Sequence, residues 1–267
     1  MSVDTTFAGS VAQVYARYLV PLIFQPYAAD LQNRVATMRL SRILEIAAGT
    51  GVVTRALAAG SNAAIVATDL NQAMLDEAAA TGTSRPVEWR RADAMALPFP
   101  DGEFDAVVCQ FGTMFFPDKA KAFAEAWRVL RPGGALLFNV WARISENEFA
   151  DAVTGALVNL FPDDPPRFLA RIPHGYHDIP TIQRDLVSGG FTQPPTLETV
   201  AARSRADSAR LPALAYCQGT PLRNEIEARD ASRLAEATDL AAAAVAKRFG
   251  SDQVDGKLLA HVITAIK

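Results

Sequence analysis

An apolar run that ends in a glycine turn, Arg42-Ile-Leu-Glu-Ile-Ala-Ala-Gly-Thr-Gly51, constrains this chain more than any other stretch. It reads as a strand, a tight turn and a helix beginning near Val52, and α/β proteins present nucleotide-like ligands at the carboxyl end of such a strand. Gly49 and Gly51 remove side chains where the backbone must turn sharply and approach a ligand, and the first turn of the following helix presents N–H groups. Any tight strand-to-helix turn can use the same pair, so the surrounding residues have to decide. Glu45 lies just before the turn, Asp69 ends the next apolar run eighteen residues beyond Gly51, and Asp93 follows the third. Three carboxylates therefore fall at one edge of a predicted sheet.

From Ser41 to Val140 the pattern alternates strand and helix. The runs are Ile43 to Ala47, Thr54 to Ala59, Ala64 to Thr68, Gln72 to Ala80, Val87 to Arg90, Phe104 to Cys109, Lys119 to Leu130 and Ala135 to Val140. Strands alternating with helices of this length imply crossover connections and a parallel sheet. Before it, Val11 to Met38 has apolar residues at helical spacing, and Pro21 and Pro26 predict breaks into two or three short helices. Beyond Trp141 the regularity weakens, and the proline-rich and glycine-containing stretches between Ala142 and Asp178 read as loops. A helix over Thr181 to Ser188, a strand at Thr196 to Ala201, an alanine-rich helix over Leu234 to Phe249 and a final edge strand at His261 to Ile266 complete the expectation. The organisation expected is an N-terminal helical lid (1–40), a cofactor-binding α/β core (41–141), an insertion over the cleft (142–190), and C-terminal strands with a cap helix (191–267).

Composition closes off several classes. The 267 residues are half apolar with a net charge of −3, enough for a sizeable core and short of the basic face that a polyanion requires. No nucleic-acid partner is expected. Two cysteines in unrelated contexts suggest neither a disulfide framework nor a metal site. The first ten residues carry Asp4 and no lysine or arginine, which argues against a secretory signal, and no apolar run approaches the ~20 residues of a spanning helix. The expectation is a cytoplasmic protein without a membrane span.

The turn departs from the dinucleotide fingerprint Gly-x-Gly-x-x-Gly, because Thr54 occupies the third position. A carboxylate at Glu45 would also oppose a pyrophosphate, whereas a ligand carrying a sulfonium and an α-ammonium suits it. Asp69 can accept hydrogen bonds from both ribose hydroxyls, as it would from NAD, or act as the N-cap of the next helix. Further along stand Arg91-Ala-Asp-Ala-Met-Ala-Leu-Pro-Phe-Pro100, then Glu103-Phe-Asp105, Val107 to Asp118, and Glu125-Ala-Trp-Arg-Val-Leu-Arg-Pro-Gly-Gly134.

These segments, in this order and spacing, resemble the class I S-adenosylmethionine-dependent methyltransferases, in the branch with ubiquinone, menaquinone and small-molecule methylases. The resemblance implies a seven-stranded, mainly parallel Rossmann-like α/β sheet with an antiparallel last strand, N-terminal helices and a helical and loop cap. It implies that Glu45, Gly49 and Gly51 surround the methionine part of S-adenosyl-L-methionine, that Asp69 holds the ribose with Leu70 and Met74 nearby, and that Asp93 and Ala94 meet the adenine. Gln110 and Phe111 would face the methionine end and a small, apolar or aromatic methyl acceptor. Tyr15 either closes over the cofactor or packs in the core.

Transfer of an activated methyl chiefly needs the nucleophile held close and in line. An acidic acceptor also needs a base, and His174 and His177 in the insertion are the candidates, against the reading that they are hydrogen-bonding loop residues. No metal site is expected from their spacing. An NAD(P)-dependent oxidoreductase and a non-catalytic cofactor-binding protein are the competing functions. The former would share Asp69 and the turn but lacks a recognisable hydride-transfer set.

Overall fold

The computed structural model describes residues 10–267; the expectation about a secretory signal and the first part of the 1–40 lid lie outside the described residues. Seven strands form one sheet: β1 (Arg42–Ile46), β2 (Ala64–Asp69), β3 (Glu88–Arg91), β4 (Phe104–Gln110), β5 (Leu130–Trp141), β6 (Thr196–Ala206) and β7 (Val254–Ile266). Their spatial order is β3-β2-β1-β4-β5-β7-β6. β1 pairs in parallel with β2 and β4, β2 with β3, and β4 with β5. β7 runs against β5: Lys267 N–H donates to Gly134 O and Gly133 N–H to Lys267 O, both at 2.9 Å. The order reverses between β1 and β4, and in open α/β sheets ligands bind outside the carboxyl ends of the strands at such a point.

The chain forms two compact units. One comprises Pro26–Val140, Tyr176–Val200 and Ala260–Lys267. Its core is aliphatic: Ile43, Ile65, Ala106, Val108 and Leu137 from the strands meet Leu31, Val35, Val53 and Leu57 from the helices. The central strands are buried along nearly their whole length, as expected of a parallel sheet covered on both faces. Asp105 ties the start of β1 to its neighbours. Buried within β4, its carboxylate accepts the Ser41 and Arg42 N–H groups and pairs with Arg131. Helix Ile179–Ser188 ends at Gly189, where an added Cβ would lie 2.4 Å from Phe123 Cβ of helix Lys119–Val129.

The second unit comprises the described residues up to Gln25, with Trp141–Gly175 and Ala201–Leu259. It is mainly helical, with Glu148–Leu160, Arg210–Gly219, Leu222–Asp230 and Leu234–Phe249 as its longer helices. Phe149 and Phe249 meet edge to face at 5.0 Å, and Asn147 is bracketed by Ala142, Arg143 and Leu259 through its carboxamide. Among the described residues no helix is long and apolar enough to cross a membrane.

Three expectations need correction. Pro21 and Pro26 do not break the N-terminal segment, which is helical from Ser10 through Ala36. Between Tyr15 and Phe24 it widens into π-type turns, and the Gln25 N–H reaches Val20 O, five residues back. Widening of this kind displaces the carbonyls that a proline ring would strike in an α-helix. The stretch from Ala142 to Asp178 is not irregular, because it contains the thirteen-residue helix Glu148–Leu160. Finally β7 is interior, between β5 and β6, and it starts at Val254; the edge strand is β6, whose residues are mostly exposed or half-buried.

Candidate functional site

The glycine turn after β1 is held by the carboxylate at the end of β2. Gly49 N–H donates to Asp69 Oδ2 and Asn71 N–H to Asp69 Oδ1, each at 2.8 Å. Ala48 N–H donates to Thr68 O at 2.9 Å, so backbone and side chain together dock the turn on β2. Ala47, Gly49 and Gly51 all have positive φ (54°, 56° and 78°), the left-handed region that costs a residue with a Cβ. Gly51 is doubly constrained, since an added Cβ would also lie 2.9 Å from the Trp89 ring. Asp69 does not cap the next helix: Asn71 does, accepting from Ala73 N–H. A carboxylate offers about four lone-pair sites, so Asp69 keeps acceptor capacity beyond its backbone bonds. Burial raises its pKa, against the backbone hydrogen bonds from Asn71, Gly49 and Leu70 that lower it.

Glu45 lies beneath the turn with 2 % of its surface exposed. Its Oε2 accepts the Thr54 hydroxyl at 2.6 Å, and its main-chain oxygen accepts the Thr68 hydroxyl. Thr54 is the residue that replaces the third glycine of the dinucleotide pattern, and here it is wholly buried as the partner of Glu45. Burial pushes the Glu45 carboxyl up to about 8, with the Thr54 hydrogen bond and the Arg55 charge opposing. It therefore holds a proton at neutral pH, and a cation brought beside it would favour the ionised form.

The other expected residues follow the strand ends. Ala92 N–H bonds to Asp69 O, which sets Asp93 just past β3; Asp93 Oδ1 accepts Met95 N–H at 2.9 Å, and Ala94 is buried. Met74 is buried in helix Gln72–Thr81, whereas Leu70 is 41 % exposed. Gln110 ends β4 and pairs in register with Asn139 of β5. Phe111 adopts φ 50°, packs edge to face on Tyr27 at 5.3 Å, and donates its N–H to Asn139 Oδ1 at 2.9 Å. One unit thus carries Glu45, Gly49, Gly51, Asp69, Leu70, Met74, Asp93, Ala94, Gln110 and Phe111, with His177.

Tyr15 and His174 belong to the helical unit. The Tyr15 ring is half-buried against Phe24, centroids 5.3 Å apart. His174 is buried beside Trp141, with Nδ1 2.9 Å from Ala142 O. A carbonyl only accepts, so Nδ1 is the protonated nitrogen in this bond. His177 is half-buried and close enough to His261 to depress its pKa, after the larger effect of burial. Asp178 Oδ2 caps helix Ile179–Ser188 through Thr181. Residue-by-residue reading of the sequence overlooked Asn139 and Thr113. A lone asparagine inside the apolar run Leu136-Leu-Phe-Asn-Val-Trp141 was the available signal for the first.

A family profile described as a methyltransferase domain matches residues 44–138. The ubiquinone/menaquinone biosynthesis C-methyltransferase of Pseudomonas aeruginosa is 33 % identical over 166 residues, covering 57 % of this chain and 65 % of that protein. The Teredinibacter turnerae protein of the same name is 32 % identical over 167 residues, 57 % of this chain and 67 % of that one. Among solved structures, phosphoethanolamine N-methyltransferase 2 of Haemonchus contortus with S-adenosyl-L-methionine superposes with a TM-score of 0.62 at 19 % identity, over 100 % of this chain and 60 % of that one. The chain belongs to the class I S-adenosylmethionine-dependent methyltransferases. It spans about two thirds of the length of the curated relatives it matches, 65 % for the first of them.

Proposed function

We propose that the protein is a cytoplasmic enzyme that transfers a methyl group from S-adenosyl-L-methionine to a small, apolar or aromatic acceptor, with no nucleic-acid partner. The observation that carries this reading is the linked set Glu45, Gly49 and Asp69. One carboxylate docks the turn with acceptor capacity to spare, and a second is buried under the turn, where a cation brought beside it would favour its ionised form. The commitment of Thr54 to Glu45 speaks against the oxidoreductase, because the position where the dinucleotide fold uses a glycine for close helix–strand packing carries a side chain bonded to Glu45. The names of the relatives support a ring-containing acceptor of the quinol kind.

The cofactor, when bound, supplies an already activated sulfonium methyl. The residues that would hold it are Glu45, Gly49 and Gly51 at the methionine part, Asp69 with Leu70 and Met74 at the ribose, and Asp93 with Ala94 at the adenine. Gln110 and Phe111 would border the methionine end. The protein's own contribution is mainly positioning, which a strained, hydrogen-bonded turn provides without reorganisation. For an acidic acceptor His174 and His177 are the candidate bases.

The test is transfer of labelled methyl from S-adenosyl-L-methionine to a panel of reduced 1,4-naphthoquinone, flat phenols and a polyanion control. Turnover of a quinol or phenol supports the reading. Methylation of the polyanion with little transfer to any phenol or quinol overturns it.

A further inference from the structure

Buried side-chain atoms near the carboxyl ends of the central strands that have no hydrogen-bond partner among the described residues include Thr50 Oγ1, Thr113 Oγ1 and Asn139 Nδ2. Arg42 Nε and Glu103 Oε2 share that property, but those two side chains form an ion pair with each other at 2.7 Å. Thr113 is 1 % exposed and Asn139 is fully buried. The orientation of the Asn139 carboxamide is not ambiguous: Oδ1 accepts Phe111 N–H at 2.9 Å, so the NH2 group is the end without a partner. A buried donor left unmade costs about 1 to 3 kcal/mol, and a native chain keeps such a group where something outside the chain completes it.

A second observation converges on the same place. Phe111, which Asn139 holds, and Ala47, whose Cβ would be 2.5 Å from one added at Gly112, are the non-glycine residues with positive φ among the described residues. Non-glycine backbone of this kind is costly and clusters at ligand sites. Thr113 opens the 3-10 turn Thr113–Phe115 directly after this segment.

We infer that Asn139 and Thr113 form an oxygen-recognition pair, with the Asn139 amide donating to a carboxylate or oxyanion of a bound molecule and the Thr113 hydroxyl supporting it. The inference deepens the methyltransferase reading and rests on it. Neighbouring strands lie about 4.8 Å apart, so Asn139 on β5 stands roughly 14 Å across the sheet from Asp69 on β2, with β1 and β4 between. Ribose held at Asp69 puts the methionine end over β1 and β4, and Asn139 beyond it. Two molecules bring an oxygen there: the cofactor, through its α-carboxylate, and an oxygenated acceptor such as a quinol.

The variants are Asn139→Asp, which keeps the Oδ1 acceptor for Phe111 and loses the donor, and Thr113→Val, which is isosteric and keeps the backbone turn. Phe111 N–H also reaches the Asn139 main-chain oxygen at 3.2 Å, so the strand-end contact survives a change of side chain. Wild type and both variants are titrated with S-adenosylhomocysteine and with 5′-methylthioadenosine, which lacks the amino-acid carboxylate, and assayed for methylation of reduced 1,4-naphthoquinone. A tenfold or greater loss for S-adenosylhomocysteine with methylthioadenosine unchanged assigns the pair to the cofactor carboxylate. Unchanged binding of both with a tenfold loss of kcat/KM for the quinol assigns it to the acceptor oxygen. Equal loss for both nucleosides shows a structural role through Phe111 and overturns the inference. Unchanged binding in both variants does the same when quinol turnover is also unchanged, or when wild type methylates no quinol. Failure of wild type to bind S-adenosylhomocysteine at all defeats the methyltransferase reading instead, so the two failures are separable.

Discussion

Replacing Glu45 with glutamine should make the protein more stable, and the gain should grow with pH. The wild-type carboxyl is pushed up to about 8 by burial, against an ordinary value of 4.5 in the unfolded chain. The folded state therefore binds the proton more tightly. The stability this confers is fully present below pH 4.5 and is lost as the pH rises through 8. Each unit of difference is worth 1.36 kcal/mol, so the loss between pH 5 and pH 9 comes to roughly 3 to 4 kcal/mol. Glutamine keeps an acceptor for the Thr54 hydroxyl and does not titrate, so the variant escapes the loss. For a chain of this size that separates the melting temperatures of variant and wild type by about 10 °C more at pH 9 than at pH 5. The assay is thermal unfolding of both proteins without ligand across that range. Curves that stay parallel from pH 5 to pH 9 would refute the reasoning, since they would mean that Glu45 is ionised throughout in a solvated position.

Other substitutions probe the rest of the site. Asp69→Ala should weaken S-adenosylhomocysteine binding by about 2 to 4 kcal/mol, measured by titration, and should also lower the melting temperature, because Gly49 and Asn71 lose their acceptor. Gly112→Ala should cost about 1 to 3 kcal/mol of stability and most of the nucleoside affinity, read by melting and titration, since the new methyl would lie 2.5 Å from Ala47 Cβ and 2.8 Å from Cys109 Sγ. His174→Gln should leave S-adenosylhomocysteine affinity intact while lowering kcat for a phenolic or quinol acceptor tenfold or more; an unchanged kcat would assign His174 to packing alone.

The core of the fold was legible because its local rules and its tertiary setting agree. The β1 run is apolar, bounded by a glycine turn, and buried on both faces, so strand, turn and helix were readable within a residue or two of Arg42–Ile46 and Val52–Gly60. The same holds for Asp69, whose place at the end of β2 follows from the run before it. Elsewhere tertiary context outweighed local signals. Pro21 should break a helix, yet π-type widening accommodates it, and nothing in the residues around it announces that geometry. Glu148–Leu160 was hidden by its prolines, which lie just beyond its end at Pro162, Pro165 and Pro166 rather than inside it. The position of β7 between β5 and β6 depends on pairing across the sheet, which no periodicity encodes. Asn139 and Thr113 escaped for a related reason, since a polar atom without a partner is defined by what surrounds it in space.

The most direct test of the whole account is calorimetric titration of the purified protein with S-adenosyl-L-methionine and S-adenosylhomocysteine, with NADH as the comparison. The account predicts micromolar binding of the first two and none of the third. Binding of NADH alone would contradict it and make the glycine turn beneath Asp69 a dinucleotide site.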